Sequence, residues 1–233
     1  MNGITFNDKH SFTDFGLIMN SKTISTPSKK KIKDSAPGMN SVYDFSTVAS
    51  NGEITYNQRA IEVNFTLIGT SKYNLQSKMT VITQWLQDTP QGQLVFDDIS
   101  YYYFMAEVEG ELTINEKNKV AEITVKFIAE PFKTSINIIN SEIWDTFNFE
   151  EDIIQDMSFD VVSTLTVSIY NSGRLITPTI VTSANMSLII RGVTYNLITG
   201  SNTVYGLKLL NGDNSIIING TGNIEFIFHK VVI

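Results

Sequence analysis

The amino-acid sequence predicts a mainly β protein of two β-sandwich domains, the first with a single packed α-helix and the second jelly-roll-like. Three observations predict it. Apolar and polar residues alternate along several stretches, which is the pattern of strands with one buried and one wet face. One stretch has helical spacing instead. Turn signals rich in Asn and Gly then divide the second half densely, as in sandwiches built from short strands and tight hairpins.

The alternation is clearest in "IEVNFTL", where Ile61, Val63, Phe65 and Leu67 share one face and Glu62, Asn64 and Thr66 the other. "AEITVKF" repeats it with Ala121, Ile123, Val125 and Phe127 inward, "TLTVSIY" with Leu165, Val167 and Ile169, and "IEFIFH" with Ile224, Phe226 and Phe228. The helix is predicted over about 71–87. Thr70 or Ser71 can cap it, Leu75, Met79, Ile82 and Leu86 form its apolar stripe, and Pro90 stops it. Turns are expected at Asn171–Gly173, Arg191–Gly192, Thr199–Asn202, Asn211–Asp213 and Asn219–Gly222, where Asn and Gly tolerate positive φ. Alternation lapses and acidic residues gather in "EPFKTSINIINSEIWDTFNFEEDIIQD". The expected domains are therefore residues 1–133 and 134–233.

Composition narrows the function. Of 233 residues 42% are apolar and 18% charged, a globular balance, and the net charge of −7 with a pI near 4.8 argues against a nucleic-acid partner, which needs a basic face. The absence of cysteine removes disulfides, thiolate chemistry and Cys-ligated zinc. The opening lacks the apolar core of a secretion signal, and no later run reaches the roughly 18 apolar residues of a membrane helix. A soluble product made in a cytoplasm is expected, with no membrane insertion.

Residues that could carry chemistry are few. His10 and His229 lie near opposite ends of the chain, and no Gly-x-Ser-x-Gly turn exists to hold an activated serine. His229 falls on the face opposite Ile224, Phe226 and Phe228, so it reads as a solvated or edge histidine. Two carboxylate clusters stand out: Asp97-Asp98 reads as a turn before a strand, and Glu150-Glu151-Asp152 with Asp156 as a hydrated connector lacking a calcium-loop pattern. Phosphate-binding glycine loops are absent. In "YYYF" alternation sends two rings inward and leaves two outside, so Tyr101 and Tyr103 are candidate exposed aromatics. Trp85 and Trp144 read as packing anchors. No catalytic, metal or cofactor residue is expected, and the chain is not read as an enzyme.

Residues 1 to about 133 resemble the N-terminal domain of the distal tail protein family of long-tailed bacteriophages. The resemblance rests on order and spacing: "ITFN…DFGLIM", "PGMNSVYDFS…NGEITYNQRAIEVNFTLIG", the helix ending "WLQD", "LVFDD…YYYFMAEVEG", and "VKFIAEPF". The remainder, "IYNSGRLITPTIVTS" and "MSLIIRGVTYNLI", resembles the family's C-terminal galectin-like or carbohydrate-module-like sandwich. The resemblance implies a structural virion protein. It implies a homo-hexameric ring at the end of the tail tube, made by the N-terminal domains, with the C-terminal ones projecting outward. The implied partners are the tail tube protein, the tail-tip protein and receptor-binding or fibre proteins.

One stretch stands against the chain's acidic character: "STPSKKKIKDSAPGMNSVYDFS" places Lys29, Lys30, Lys31 and Lys33 before Pro37-Gly38, followed by Tyr43 and Phe45. These six residues are the candidate subunit or tube interface, with the lysines expected to face acidic groups of a neighbour. A solvated charged hairpin is the plainer reading of the same residues. An alternative function is a carbohydrate-binding adhesin or receptor-binding module acting through residues 140 to 233.

Overall fold

Residues 2–50, 52–139 and 154–233 are described by a computed structural model of the chain. They divide into two compact units, Met1–Lys133 with Ile233, and Thr134–Val232.

The first unit is built on strands β1 (Ile4–Phe6), β2 (Lys9–His10), β3 (Leu17–Ile24), β6 (Arg59–Ile68), β7 (Gly92–Phe96), β8 (Tyr102–Val108) and β10 (Val120–Ile138), in the order β2-β1-β7-β8-β10-β6-β3. A further strand, β9 (Thr113–Lys117), forms a hairpin with β10, while β4 (Lys33–Asp34) and β5 (Tyr43–Asp44) make a separate two-stranded sheet. The period-two pattern sets the register. Val63 lies opposite Val125 and Phe65 opposite Ile123, so both inward rows face one core. The sheet curls: Lys22 of the edge strand β3 pairs with Asp98, just past β7, and rides 4.5 Å over the Phe96 ring. That curl encloses the core on the strand side.

The helix α1 (Lys72–Gln87) covers this core. Its N-cap is Ser71, whose hydroxyl accepts the Asn74 amide at 3.1 Å. Leu75, Ile82, Trp85 and Leu86 are buried, with Met79 half-buried beside them, so the apolar stripe is wider than leucine and isoleucine spacing alone indicates. Trp85 is an anchor in two senses: its ring stacks on Phe15 at 4.3 Å, and its Nε1 donates to the Phe6 carbonyl at 3.3 Å.

The second unit is organised around two long strands, β11 (Ser158–Asn171) and β16 (Gly212–Ile227), paired antiparallel along fourteen positions. The other edge of β16 is shared by β13 (Met186–Ile190) and β12 (Thr179–Thr182). Outside these lie β14 (Val193–Leu197) on β13 and β15 (Gly200–Thr203) on β12. β17 (His229–Val232) pairs with β10, whose residues from Thr134 on belong to this unit, His229 and Lys230 bonding to Ser135 and Asn137. Buried Ile169, Ile180, Leu188, Ile216, Ile218, Ile224 and Phe226 form the core.

Two expectations are corrected here. The strands are not uniformly short, and Asn219–Gly222 is not a turn but an unbroken part of β16. Gly220 and Gly222 take φ of 144° and 141°, and a Cβ on them would meet Met186 Cγ at 2.8 Å and Ser183 Oγ at 2.5 Å. The glycines therefore serve close packing against the start of β13 and the turn before it, and the ladder continues through them. Thr199–Asn202 and Asn211–Asp213 do begin as turns, and each runs on into a strand, β15 and β16.

Both of those stretches follow one rule, apolar-x-Gly-x-Asn, as "ITGSN" (Ile198–Asn202) and "LNGDN" (Leu210–Asn214). In each, the buried Asn Oδ1 accepts the amide four residues back, from Ile198 or Leu210. Its Nδ2 donates to the carbonyls four and two residues back and to a neighbouring strand, Ile180 for Asn202 and Ile169 for Asn214. One side chain thus closes a turn and joins it to the sheet.

Candidate assembly site

Between β3 and β6 the chain leaves the sheet of the first unit and forms an exposed arm. Its root is a short ladder, with Asn57 N donating to Ser28 O at 2.8 Å and Lys30 N to Thr55 O at 2.9 Å. Beyond it β4 and β5 pair, Lys33 opposite Asp44 and Asp34 opposite Tyr43. Pro37 and Gly38 turn the chain, Met39 N donating to Ala36 O at 3.1 Å. Gly38 takes the positive φ, 86°, that the third position of a Pro-Gly turn requires.

All six sequence-predicted interface residues lie on this arm and are exposed. Tyr43 is 56% and Phe45 45% accessible, their ring centroids 6.1 Å apart, and Ile32, Val42 and Val48 of the same arm are exposed. Lys29, Lys30, Lys31 and Lys33 are exposed as well. Lys31 differs from expectation in one respect: its Nζ lies 3.2 Å from Asp44 of its own arm. The arm thus presents rings and basic groups together.

Asp44 also ties the arm internally. The Ser46 hydroxyl and amide, the latter at 3.0 Å, and then the Lys31 ammonium hold its carboxyl well below the usual carboxylate range. The Ser46 hydroxyl in turn accepts the Ile32 amide at 2.9 Å. Because the folded carboxyl titrates lower than the unfolded one, its contribution is complete above the unfolded value, about 3.9, and is lost as pH falls through the folded value. We expect the Ser46 amide proton to titrate with a midpoint below pH 3.9; a midpoint at or above that value would show that the network does not form.

The remaining sequence-predicted residues are dispersed. Tyr101 is exposed just before β8, Tyr103 is half-buried within it, and the alternate rings Tyr102 and Phe104 are buried. Asp97 and Asp98 act as ties: Asp97 Oδ2 accepts the Gly3 amide at 2.7 Å and faces His10 Nε2 at 3.2 Å, while Asp98 pairs with Lys22. His10 Nδ1 accepts the amides of Phe12 and Thr13, which leaves its proton on Nε2, toward Asp97. His229, read as a solvated or edge histidine, stands on the short strand β17. It is half-buried, and its Nδ1 donates to the carbonyls of Ser135 and Asn137 at 2.9 and 3.2 Å. Trp144 and Glu150-Glu151-Asp152 lie outside the described residues, and Asp156 is exposed. Among the described residues no cluster of three His, Asp or Glu is placed to hold a metal, and no helix is long and apolar enough to cross a membrane.

Sequence reading missed two cations. Arg59 is 5% exposed and continues the inward row Ile61, Val63, Phe65 and Leu67 of β6. Lys133 is half-buried and continues the row Ala121 to Ala129 of β10. The signal was available: both are charged residues in phase with a core face.

Over its length the chain is similar in fold to a solved phage protein. The crystal structure of the Dit protein of phage SPP1, described as a paradigm of the hub adsorption apparatus in phages infecting Gram-positive bacteria, superposes with a TM-score of 0.70. The match covers 100% of both chains at 13% sequence identity. Residues 12–129, which include the arm, match the family model of the phage tail protein RIFT-related domain, and the chain belongs to that family. It is a phage tail component. A search of curated protein sequences returns no match.

Proposed function

We propose that the chain is a distal tail protein that closes into a ring of six copies at the end of the tail tube. There it joins the tube protein to the tail-tip protein and, through the tip, to receptor-binding or fibre proteins. Residues 1–133 build the ring, and the galectin-like sandwich of residues 134–233 faces the tip or receptor-binding proteins. The observation that carries this reading is the arm. An arm that exposes Ile32, Val42, Tyr43, Phe45 and Val48 and also carries four exposed lysines suits a protein surface, since aromatic rings are enriched where chains meet. The chain's net charge of −7 makes a sister copy or another acidic tail protein a complementary partner. Head-to-tail contacts between identical copies close into a ring when the rotation permits.

Electron micrographs of concentrated protein, alone and with its tail partners, test the ring. Closed annular particles are expected, and solitary particles under every condition would overturn the reading. Replacing Lys29, Lys30, Lys31 and Lys33 by glutamine tests the arm. Rings of this variant should come apart at lower protein concentration than wild type at low salt, with the difference shrinking as salt screens the charges. Identical ring stability at low and moderate salt would remove the arm lysines from the interface.

A further inference from the structure

From the two inward-row cations we infer that Arg59 and Lys133 form a receptor for a carboxylate of a second copy, supplied by Glu107, Glu109 or Glu111. The inference rests on the ring reading and assigns one of its contacts.

Each cation stands against an aromatic face. The Arg59 guanidinium carbon lies 5.2 Å from the Phe104 ring centroid and Lys133 Nζ 4.8 Å from that of Tyr102. Phe104 and Tyr102 are two residues apart on one face of β8, about 7 Å along the strand. The Arg59 Nε and one Nη converge on a single acceptor, the Pro131 carbonyl, with Nε at 3.0 Å. The ion pairs among the described residues join His10 to Asp97, Lys22 to Asp98 and Lys31 to Asp44, so neither Arg59 nor Lys133 is in an ion pair with another described residue. Burial also holds the Arg59 guanidinium below its ordinary range. Arg59 is a buried cation, which ordinarily has an anionic partner, and the half-buried Lys133 stands over the next inward ring of the same strand. A guanidinium fork and an ammonium together suit a carboxylate.

The same subunit carries the complementary group at the far end of the same strand. Glu107 near the end of β8, and Glu109 and Glu111 beyond it, are exposed, and Glu107 lies about 17 Å along the strand from Tyr102. None of the three is in an ion pair among the described residues. A basic receptor at one end of β8 and acidic groups at the other form two different surfaces on one chain. Head-to-tail association requires that arrangement, and a two-fold dimer does not.

Carbodiimide coupling tests the contact, because it joins an amine to a carboxylate only where they touch. Full-length protein mixed from isotopically light and heavy copies is treated at ring-forming concentration, and the annular fraction is digested for mass spectrometry. The expected product is a light-heavy peptide joining Lys133 to Glu107, Glu109 or Glu111, lost when those three glutamates are changed together to glutamine. That triple variant alters only exposed side chains, so folding is not in question. Rings in which Lys133 couples within its own chain, to another residue, or not at all overturn this inference and leave the ring standing. Protein that forms no multimer at any concentration overturns the ring reading and this contact with it.

Discussion

Changing Phe6 to alanine is expected to lower the stability of the first unit by about 3–5 kcal/mol. Phe6 is fully buried on the short strand β1, its ring edge-on to Phe127 with centroids 5.3 Å apart and 6.3 Å from Trp85. Truncation removes the ring and leaves a cavity between the sheet and α1 that Phe127 and Trp85 cannot fill, since Trp85 Nε1 is held by the Phe6 carbonyl. Small domains have about 5–15 kcal/mol in total, so the loss is a large fraction. Urea unfolding followed by tryptophan fluorescence measures it, with Tyr73→Ala on the outward face of α1 as the control, where a change within about 0.5 kcal/mol is expected. A Phe6→Ala cost as small as the control's would mean that β1 does not close this core.

Changing Asn214 to alanine is expected to cost the second unit about 2–4 kcal/mol. The Asn214 amide donates to Leu210 O at 2.8 Å, Gly212 O at 2.9 Å and Ile169 O at 3.3 Å, and accepts from Leu210 N at 2.9 Å and Arg191 Nη1 at 3.3 Å. Alanine leaves these groups without the partner that satisfied them, at a site where water enters poorly because Asn214 is itself buried. Asn214→Asp should be nearly as damaging, because a carboxylate cannot donate to the three carbonyls. Asn223→Ala, which removes bonds to Ser158 and Asp160 on the exposed side of the same strand, should cost under about 1 kcal/mol. Equal effects at Asn214 and Asn223 would sink the assignment of Asn214 as the inner clasp.

The elements best predicted were those whose pattern and packing agree. Ile61 to Leu67 and Ala121 to Phe127 are regular strands because each alternate side chain meets the same core, and Ser71 caps the helix its position indicates. Local rules failed where one residue type serves two purposes. Asn and Gly mark hairpins, yet at Gly220 and Gly222 the absence of a side chain makes room for Met186 and Ser183, and the strand runs on unbroken. Asn202 and Asn214 look like turn residues and become buried clasps, a difference that depends on which strand carbonyl lies alongside.

The arm shows the same division. Its lysines, its Pro-Gly turn and its rings were legible in the chain, and so was the charge contrast that draws attention to them. That Lys31 turns back to Asp44, while Tyr43 and Phe45 remain uncovered, is a matter of register between two short strands. Arg59 and Lys133 went unnoticed because a cation on a core row reads as an irregularity until the ring beneath it is seen.

What the sequence by itself determined is the mainly β character, the helix and its cap, the inward and outward faces, and the arm as a basic interruption in an acidic chain. These follow from spacing along a backbone whose side chains alternate with fixed period. Only the tertiary structure decided which ends of the strands are acidic and which hold cations against rings, and which asparagines are buried. Those properties depend on contacts between residues as far apart as Arg59 and Pro131, and the chain specifies such contacts only once the sheet has curled around its core.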